Sequence, residues 1–330
     1  MNIGVSICCT CYNQEKYISQ CLDGFLSQKT SFPFEIIIHD DASTDHTADI
    51  IRQYQQKYPD IIFPILQKDN QYSKNIRIGA QWIYPQARGK YIARCEGDDF
   101  WCEPNKLQIQ FDALEKHPEC NLCVTKVQAV SEPGNKLKKY YPNQVIHSGV
   151  LEQEEFIRYC LEDFNFHLSS FFFRRNVQLN YIANTPEYVF LFPVGDLADL
   201  LYYGHVGKVY YINSIMSCYR LQALGSWTTR QRTVSIAQKI LMLHRFNEAI
   251  ASYDNYTLHR FQLICENYKL KNEFAIYRME GQFDKLFQPK YNVIWNKLSI
   301  KNKVALVLQR YCLPIYNFLK QIEVKICKNR

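Results

Sequence analysis

The chain is predicted to be an α/β protein, a parallel-sheet domain over residues 1–230 followed by a helical extension over residues 231–330. Three observations predict it. Strand-like and helix-like segments alternate through the first hundred residues, the rhythm weakens after about Leu122, and from about Val234 the pattern is helical with few turn signals apart from Pro289 and Pro314. Alternation of this kind argues for parallel strands joined by right-handed crossovers.

Taken in order, Ile3–Cys9 is a short β-prone run, and Glu15–Gln28 spaces Tyr17, Ile18, Cys21, Leu22, Phe25 and Leu26 as one helical face. Phe34–His39 is a continuous apolar run, as in strands covered on both faces. Thr47–Tyr58 reads as a helix ended by Pro59, with Ser43 or Asp45 as its cap. Ile61–Leu66 is a third strand, Ile76–Tyr84 a helix and Lys90–Cys95 a fourth strand. Later, Leu168–Phe173 reads as a strand, Leu197–Tyr203 as a helix and Lys208–Ile212 as another strand.

Composition narrows the class. Of 330 residues, 47% are hydrophobic and 22% charged, which fits a globular chain and excludes disorder as the main state. The 13 Cys are scattered without a framework spacing, which fits reduced thiols in the cytosol. Cys120 and Cys123 form a CxxC, but no second CxxC or paired His follows at a zinc-ribbon spacing. The first ten residues lack a basic signal-peptide region and no apolar stretch approaches a bilayer span, so a cytoplasmic or membrane-surface protein is expected.

In an open parallel sheet, ligands bind beyond the carboxyl ends of the strands. The first strand ends in Thr10, Cys11, Tyr12 and Asn13, the second in Asp40 and Asp41, and the fourth in Glu96, Gly97, Asp98 and Asp99. Three carboxylates within four residues repel one another unless a cation neutralises them, and hard oxygen ligands select Mg²⁺ or Mn²⁺. Gly97 is expected to leave room for a ligand's close approach. Asp40 and Asp41 can accept hydrogen bonds from base or ribose, Tyr12 can stack on a nucleobase, and Thr10 can bond to a base edge or phosphate.

The runs VSICCTCYNQEKYI, EIIIHDDASTDHT and GKYIARCEGDDFW, in that order, resemble glycosyltransferase family 2, whose inverting enzymes have the GT-A fold and include many that build bacterial capsule and lipopolysaccharide. The likeness is specific over roughly residues 1–120 and looser to about 228. It implies that Thr10, Tyr12 and Asp41 hold the nucleotide, usually uridine, of a nucleotide-sugar donor. It implies that Glu96-Gly97-Asp98 is this chain's form of the Asp-x-Asp metal motif, with Asp98 the direct ligand and Asp99 its helper. It also implies a carboxylate base in a later loop, which Gly195-Asp196-Leu197 fits. Asp199 competes for that role, and a plain helix cap is the other reading of Asp196. Arg220, Lys74 and Arg77 could add positive charge at the leaving phosphates or equally serve as surface ion-pair residues, and His167 could face the acceptor but reads first as a satisfied structural histidine. The acceptor is expected to be a saccharide or a lipid-linked chain, extended by one sugar per encounter, because the Gln-x-x-Arg-Trp motif and membrane helices of the processive synthases are not found. A non-catalytic nucleotide-sugar-binding relative is the alternative, and the Gly-free segment Thr10–Lys16 counts against a nucleotidyltransferase.

The net charge of +7 is concentrated. From Tyr291 onward eight Lys or Arg stand against Glu323 alone, so this tail carries the whole excess. Basic residues interleaved with apolar ones suit an anionic membrane surface, or else a helix packed on the core, with Pro314 dividing it in two. No recognisable motif supports nucleic acid as the partner.

Overall fold

The structure, a computed structural model, describes residues 3–163, 166–223, 229 and 233–328. The chain divides into two compact units between Val234 and Ser235, and the expected boundary at 230–231 lies outside the described residues.

The first unit is built on one mixed sheet. Its parallel half comprises β1 (Val5–Cys11), β2 (Phe34–Asp40), β3 (Ile62–Leu66) and β4 (Tyr91–Glu96), side by side in the order β3-β2-β1-β4. β1 and β2 are buried almost throughout, which is why they read as unbroken apolar runs. Helix α1 (Ile18–Leu26) buries Ile18, Cys21, Leu22 and Phe25 at helical spacing, and α2 (Thr47–Lys57) follows β2. The helix expected over Ile76–Tyr84 is instead a π-type turn at Gly79–Ile83 followed by a 3₁₀ turn at Tyr84–Gln86. Pro85, lacking an N–H, denies a continuous α-helix its next backbone bond.

The second half of the sheet is mixed. Strand β5 (Phe100–Trp101) precedes helix α3 (Lys106–Lys116); β6 (Cys120–Val130), β7 (Lys136–Tyr141) and β8 (Gly149–Leu151) come next. Helix α4 (Gln153–Asp163), the short β9 (Phe172–Arg174), α5 (Arg175–Ala183), α6 (Tyr188–Leu191), α7 (Gly195–Val206) and β10 (Lys208–Arg220) complete it. β9 lies antiparallel between β4 and β6, β10 runs parallel to β6, and β5 pairs antiparallel with β10. The region expected as a strand at Leu168–Phe173 begins with a 3₁₀ turn at Leu168–Ser170 and enters β9 only at Phe172, while β10 runs well beyond Ile212. Cys120 and Cys123 are buried free thiols at the start of β6, each pushed up to about 12 chiefly by burial.

The second unit is helical among its described residues: α8 (Ile236–Tyr256), opened by a capping box between Ser235 and Gln238, α9 (Gln262–Met279), α10 (Asn292–Lys297), α11 (Ile300–Tyr311) and α12 (Leu313–Lys328). Phe274, Leu286, Tyr291 and Leu306 form one buried apolar cluster of it, and Pro314 sits in the first turn of α12, where its missing N–H costs nothing. Among the described residues, no helix is long and apolar enough to cross a membrane.

Candidate active site

β1 lies between β2 and β4, with Thr10 paired to His39 on one side and to Glu96 on the other. Parallel pairing therefore brings the three polar strand ends to a single sheet edge. Backbone bonds tie the loops together there: Gly97 donates to the Thr10 carbonyl at 2.9 Å and Asp41 to the Cys11 carbonyl at 3.0 Å.

On the β2 side the two acids have different surroundings. Asp41, 2% exposed, accepts from the backbone N–H groups of Gln71 at 2.7 Å and Tyr72 at 3.0 Å, so it holds the following segment over the strand end. Asp40 accepts from the Ser43 N–H at 3.1 Å and from the Ser43 hydroxyl, closing its own turn. Asp45, not Ser43, meets the start of α2, accepting from the Thr47 N–H at 2.9 Å. Asn13 adopts φ 52° and accepts from the Thr44 N–H at 2.8 Å. Thr10 is half-buried and Tyr12 is 46% exposed at the same edge.

Beyond β4, ligand atoms of Glu96, Asp98 and Asp99 all lie within 4.8 Å of one another. Among the described residues no other such group of three potential metal ligands occurs. Desolvation, with the negative charges of Asp98 and Asp196, pushes the Glu96 carboxyl up to about 8 against the pull of Arg94. Desolvation raises Asp98 to about 6 and holds Asp99 well above the carboxylate range. Asp99 Oδ1 accepts from the Arg220 backbone N–H at 2.9 Å, while the buried Oδ2 has no hydrogen-bond partner. Crowded carboxylates with an unanswered buried oxygen are a donor set that fits a hard divalent cation. At Gly97 a Cβ would lie 2.8 Å from Cys11 Cβ and 2.9 Å from Ile18 Cδ1, so the chain's own packing also demands glycine.

Arg220 also differs from expectation. It is 3% exposed and its guanidinium is committed to the Asp98 carbonyl at 2.9 Å, the Glu132 carbonyl at 2.5 Å and Gln20 Oε1 at 2.6 Å. It fixes the acidic turn rather than facing phosphate. Lys74 is exposed and pairs with Asp69 at 3.4 Å. His167 is held neutral by burial, its pKa drawn down to about 3, and its ring stacks on Tyr219 with centroids 3.9 Å apart.

Asp196 stands in the first turn of α7, whose N-cap is Val194, so Asp196 is not the helix cap. Its carboxylate lies 3.6 Å from Arg94 and its side chain is 36% exposed. Burial raises its pKa, Arg94 lowers it and Asp199 raises it. Asp199 is more enclosed, 13% exposed, accepting from Arg94 at 2.7 Å and lying 3.7 Å from Arg77. Arg94 was not among the residues singled out from sequence, although an arginine inside the apolar strand YIARCE is the signal that marks it.

The family model for glycosyl transferase family 2 matches residues 6–178, more than half of the chain. The chain belongs to that family. An uncharacterized protein of Mycobacterium tuberculosis is 44% identical over 138 residues, 42% of this chain and 39% of that protein. EpsE of Bacillus subtilis, provisionally named a glycosyltransferase, is 34% identical over 145 residues, covering 43% and 50%. Chondroitin synthase of Escherichia coli is 31% identical over 137 residues, covering 42% and 19%. The chain thus matches half or less of the length of these relatives. Among solved structures, S. aureus TarS 1-349 in complex with UDP superposes with a TM-score of 0.55 at 14% identity, covering 86% of this chain and 92% of that one. The mannosyltransferase PcManGT of Pyrobaculum calidifontis, in complex with GDP-Man and Mn²⁺, does so with 0.55 at 14%, covering 96% and 86%. These likenesses show the fold, which is GT-A.

Proposed function

We propose that this member of the family is an inverting, metal-dependent glycosyltransferase. It moves one sugar from a nucleoside-diphosphate sugar, with uridine as the expected nucleoside, to a saccharide or lipid-linked acceptor in capsule, O-antigen or other surface-polysaccharide synthesis. The observation that carries the reading is the convergence of Glu96, Asp98 and Asp99 within 4.8 Å, on the sheet edge that also bears Thr10, Tyr12 and Asp41. The UDP of TarS, the GDP-Man and Mn²⁺ of PcManGT and the polysaccharide named in chondroitin synthase support it by analogy.

In this reading the residues before the boundary near 230 form the catalytic domain, and each group has a defined task. The exposed ring of Tyr12 stacks on the base, with Thr10 and Asp41 beside it. Asn13, Asp40 and Gly97 shape the loops that receive the nucleotide. Asp98 would be the direct ligand of Mn²⁺ or Mg²⁺, with Asp99 supporting it and Glu96 reaching metal-bound water or a ribose hydroxyl, and a cation held there would supply positive charge to offset that on the departing diphosphate. Asp196 takes the proton from the acceptor hydroxyl as that oxygen attacks the anomeric carbon from the face opposite the leaving group. Its raised pKa and its exposure suit that task, whereas Asp199 is enclosed between two arginines. A site on the inner face of the cell membrane would bring cytoplasmic donor and lipid-linked acceptor together.

The test is release of nucleoside diphosphate from a panel of nucleotide sugars with Mn²⁺ or with chelator. Asp98→Ala should abolish metal-dependent donor binding, whereas Asp196→Asn should bind donor normally and lose about 10²-fold or more of turnover. Equal loss of binding in both variants would sink the division of roles.

A further inference from the structure

The last two helices carry an apolar face that the described chain leaves uncovered. Helix α11 turns Leu306 into the core formed with Phe274, Leu286 and Tyr291, and Arg310 near its end donates to Asp284 at 2.8 Å, which fixes its rotation. That rotation leaves Ile300, Val304, Val307 and Tyr311 outside, at 82%, 51%, 41% and 68% exposure. Steps of four, three and four residues draw a single stripe along the helix. Helix α12 repeats the pattern with Ile315, Phe318, Leu319 and Ile322, exposed by 50%, 63%, 49% and 39%. Isolated exposed apolar residues are ordinary, but aligned stripes on consecutive helices form a surface that is normally covered.

The charge around the stripes indicates the cover. Eight cations and a single acid lie from Tyr291 to the end, and at 100° per residue Lys301 and Lys303 fall on opposite flanks of the α11 stripe. A helix in a bilayer interface has this layout, its apolar face in the acyl boundary and its lysine heads reaching up to anionic headgroups. A second copy of the chain would bring cations against cations with almost no acid to answer them, and an acidic polymer would leave the stripes in water.

We propose that α11 and α12 form an in-plane anchor that seats the chain on an anionic lipid surface, with Val304, Val307, Phe318 and Ile322 entering the acyl boundary. The anchor uses none of the residues assigned to the donor site, so its test leaves the transferase reading untouched. The full chain is sedimented with vesicles of phosphatidylcholine alone and with vesicles that also contain phosphatidylglycerol. Binding is expected only to the anionic vesicles, weakening in high salt. Lys301→Gln and Lys303→Gln should each reduce partitioning about fivefold. Val304→Glu combined with Phe318→Glu should abolish it while the far-ultraviolet circular dichroism stays unchanged. Equal binding to both vesicle types, binding to neither, or a dimer by light scattering that Phe318→Glu dissolves would overturn the proposal.

Discussion

Replacing Arg220 with methionine should unsettle the acidic turn more than any exposed substitution near it. The guanidinium answers three acceptors, the carbonyls of Asp98 and Glu132 and Gln20 Oε1, and lies 4.7 Å over the Tyr17 ring. Methionine keeps much of the apolar stem but leaves each acceptor unanswered, at about 1 kcal/mol apiece or somewhat more. The total is about 3–4 kcal/mol, in the range for breaking a buried charged network. For a unit of this size, about 2–4 °C per kcal/mol converts that into a fall in Tm of roughly 10 °C. Because Asp98 loses its backbone anchor, Mn²⁺ affinity should drop about tenfold as well. Arg220→Lys keeps the charge without the planar fork and should recover only part of both losses. Lys74→Met removes an exposed pair with Asp69 and should change stability by less than about 0.5 kcal/mol. Differential scanning fluorimetry and metal titration read both effects. A Tm for Arg220→Met within about 2 °C of the parent would refute the role assigned to Arg220.

Other consequences follow from the same geometry. Since Glu96 is raised to about 8 and Asp98 to about 6, protons compete with a cation at low pH; Mn²⁺ affinity should rise from pH 6 to 8 and level off above, and a flat profile would contradict the crowding described. Adding Mn²⁺ should raise Tm and chelator should reverse it, because the ion relieves repulsion among the carboxylates. Ala42 adopts φ 61°, which costs about 1–2 kcal/mol for a residue with a Cβ, so Ala42→Gly should stabilise by about 0.5 kcal/mol after the entropy of the unfolded glycine is deducted. Urea denaturation reads that change, and a lower midpoint at unchanged slope would contradict it.

Most of the parallel half of the fold is written plainly in the sequence because β1 and β2 are buried on both faces and the crossover helices α1 and α2 each keep a helical period, whereas β3 is only partly buried and the crossover before β4 is not an α-helix. Residues 34–40 and 91–96 are plainly written, and their carboxyl ends carry the acids that mark the site. The mixed half is harder to read. β9 has three residues and overlaps the expected strand only at Phe172 and Phe173, and β10 reads as a strand only through Ile212, its continuation pairing with β6 across register shifts that leave no local signature. Side-chain commitments are also invisible in one dimension. Nothing in HDDASTD says that both oxygens of Asp41 meet amides thirty residues on, or that Asp40 closes its own turn. Arg94, Asp196 and Asp199 come together only because strand β4 and helix α7 meet in space.

The sheet edge of Thr10, Tyr12, Asp41 and the acidic turn is best probed by calorimetric titration of the purified chain with UDP, GDP, CMP and dTDP, each with and without Mn²⁺. Tight binding of one nucleoside diphosphate, present with the ion and lost without it, is the predicted result. Binding of none of them under either condition would contradict a donor site at Asp98 and leave the chain a family member without a nucleotide-sugar substrate.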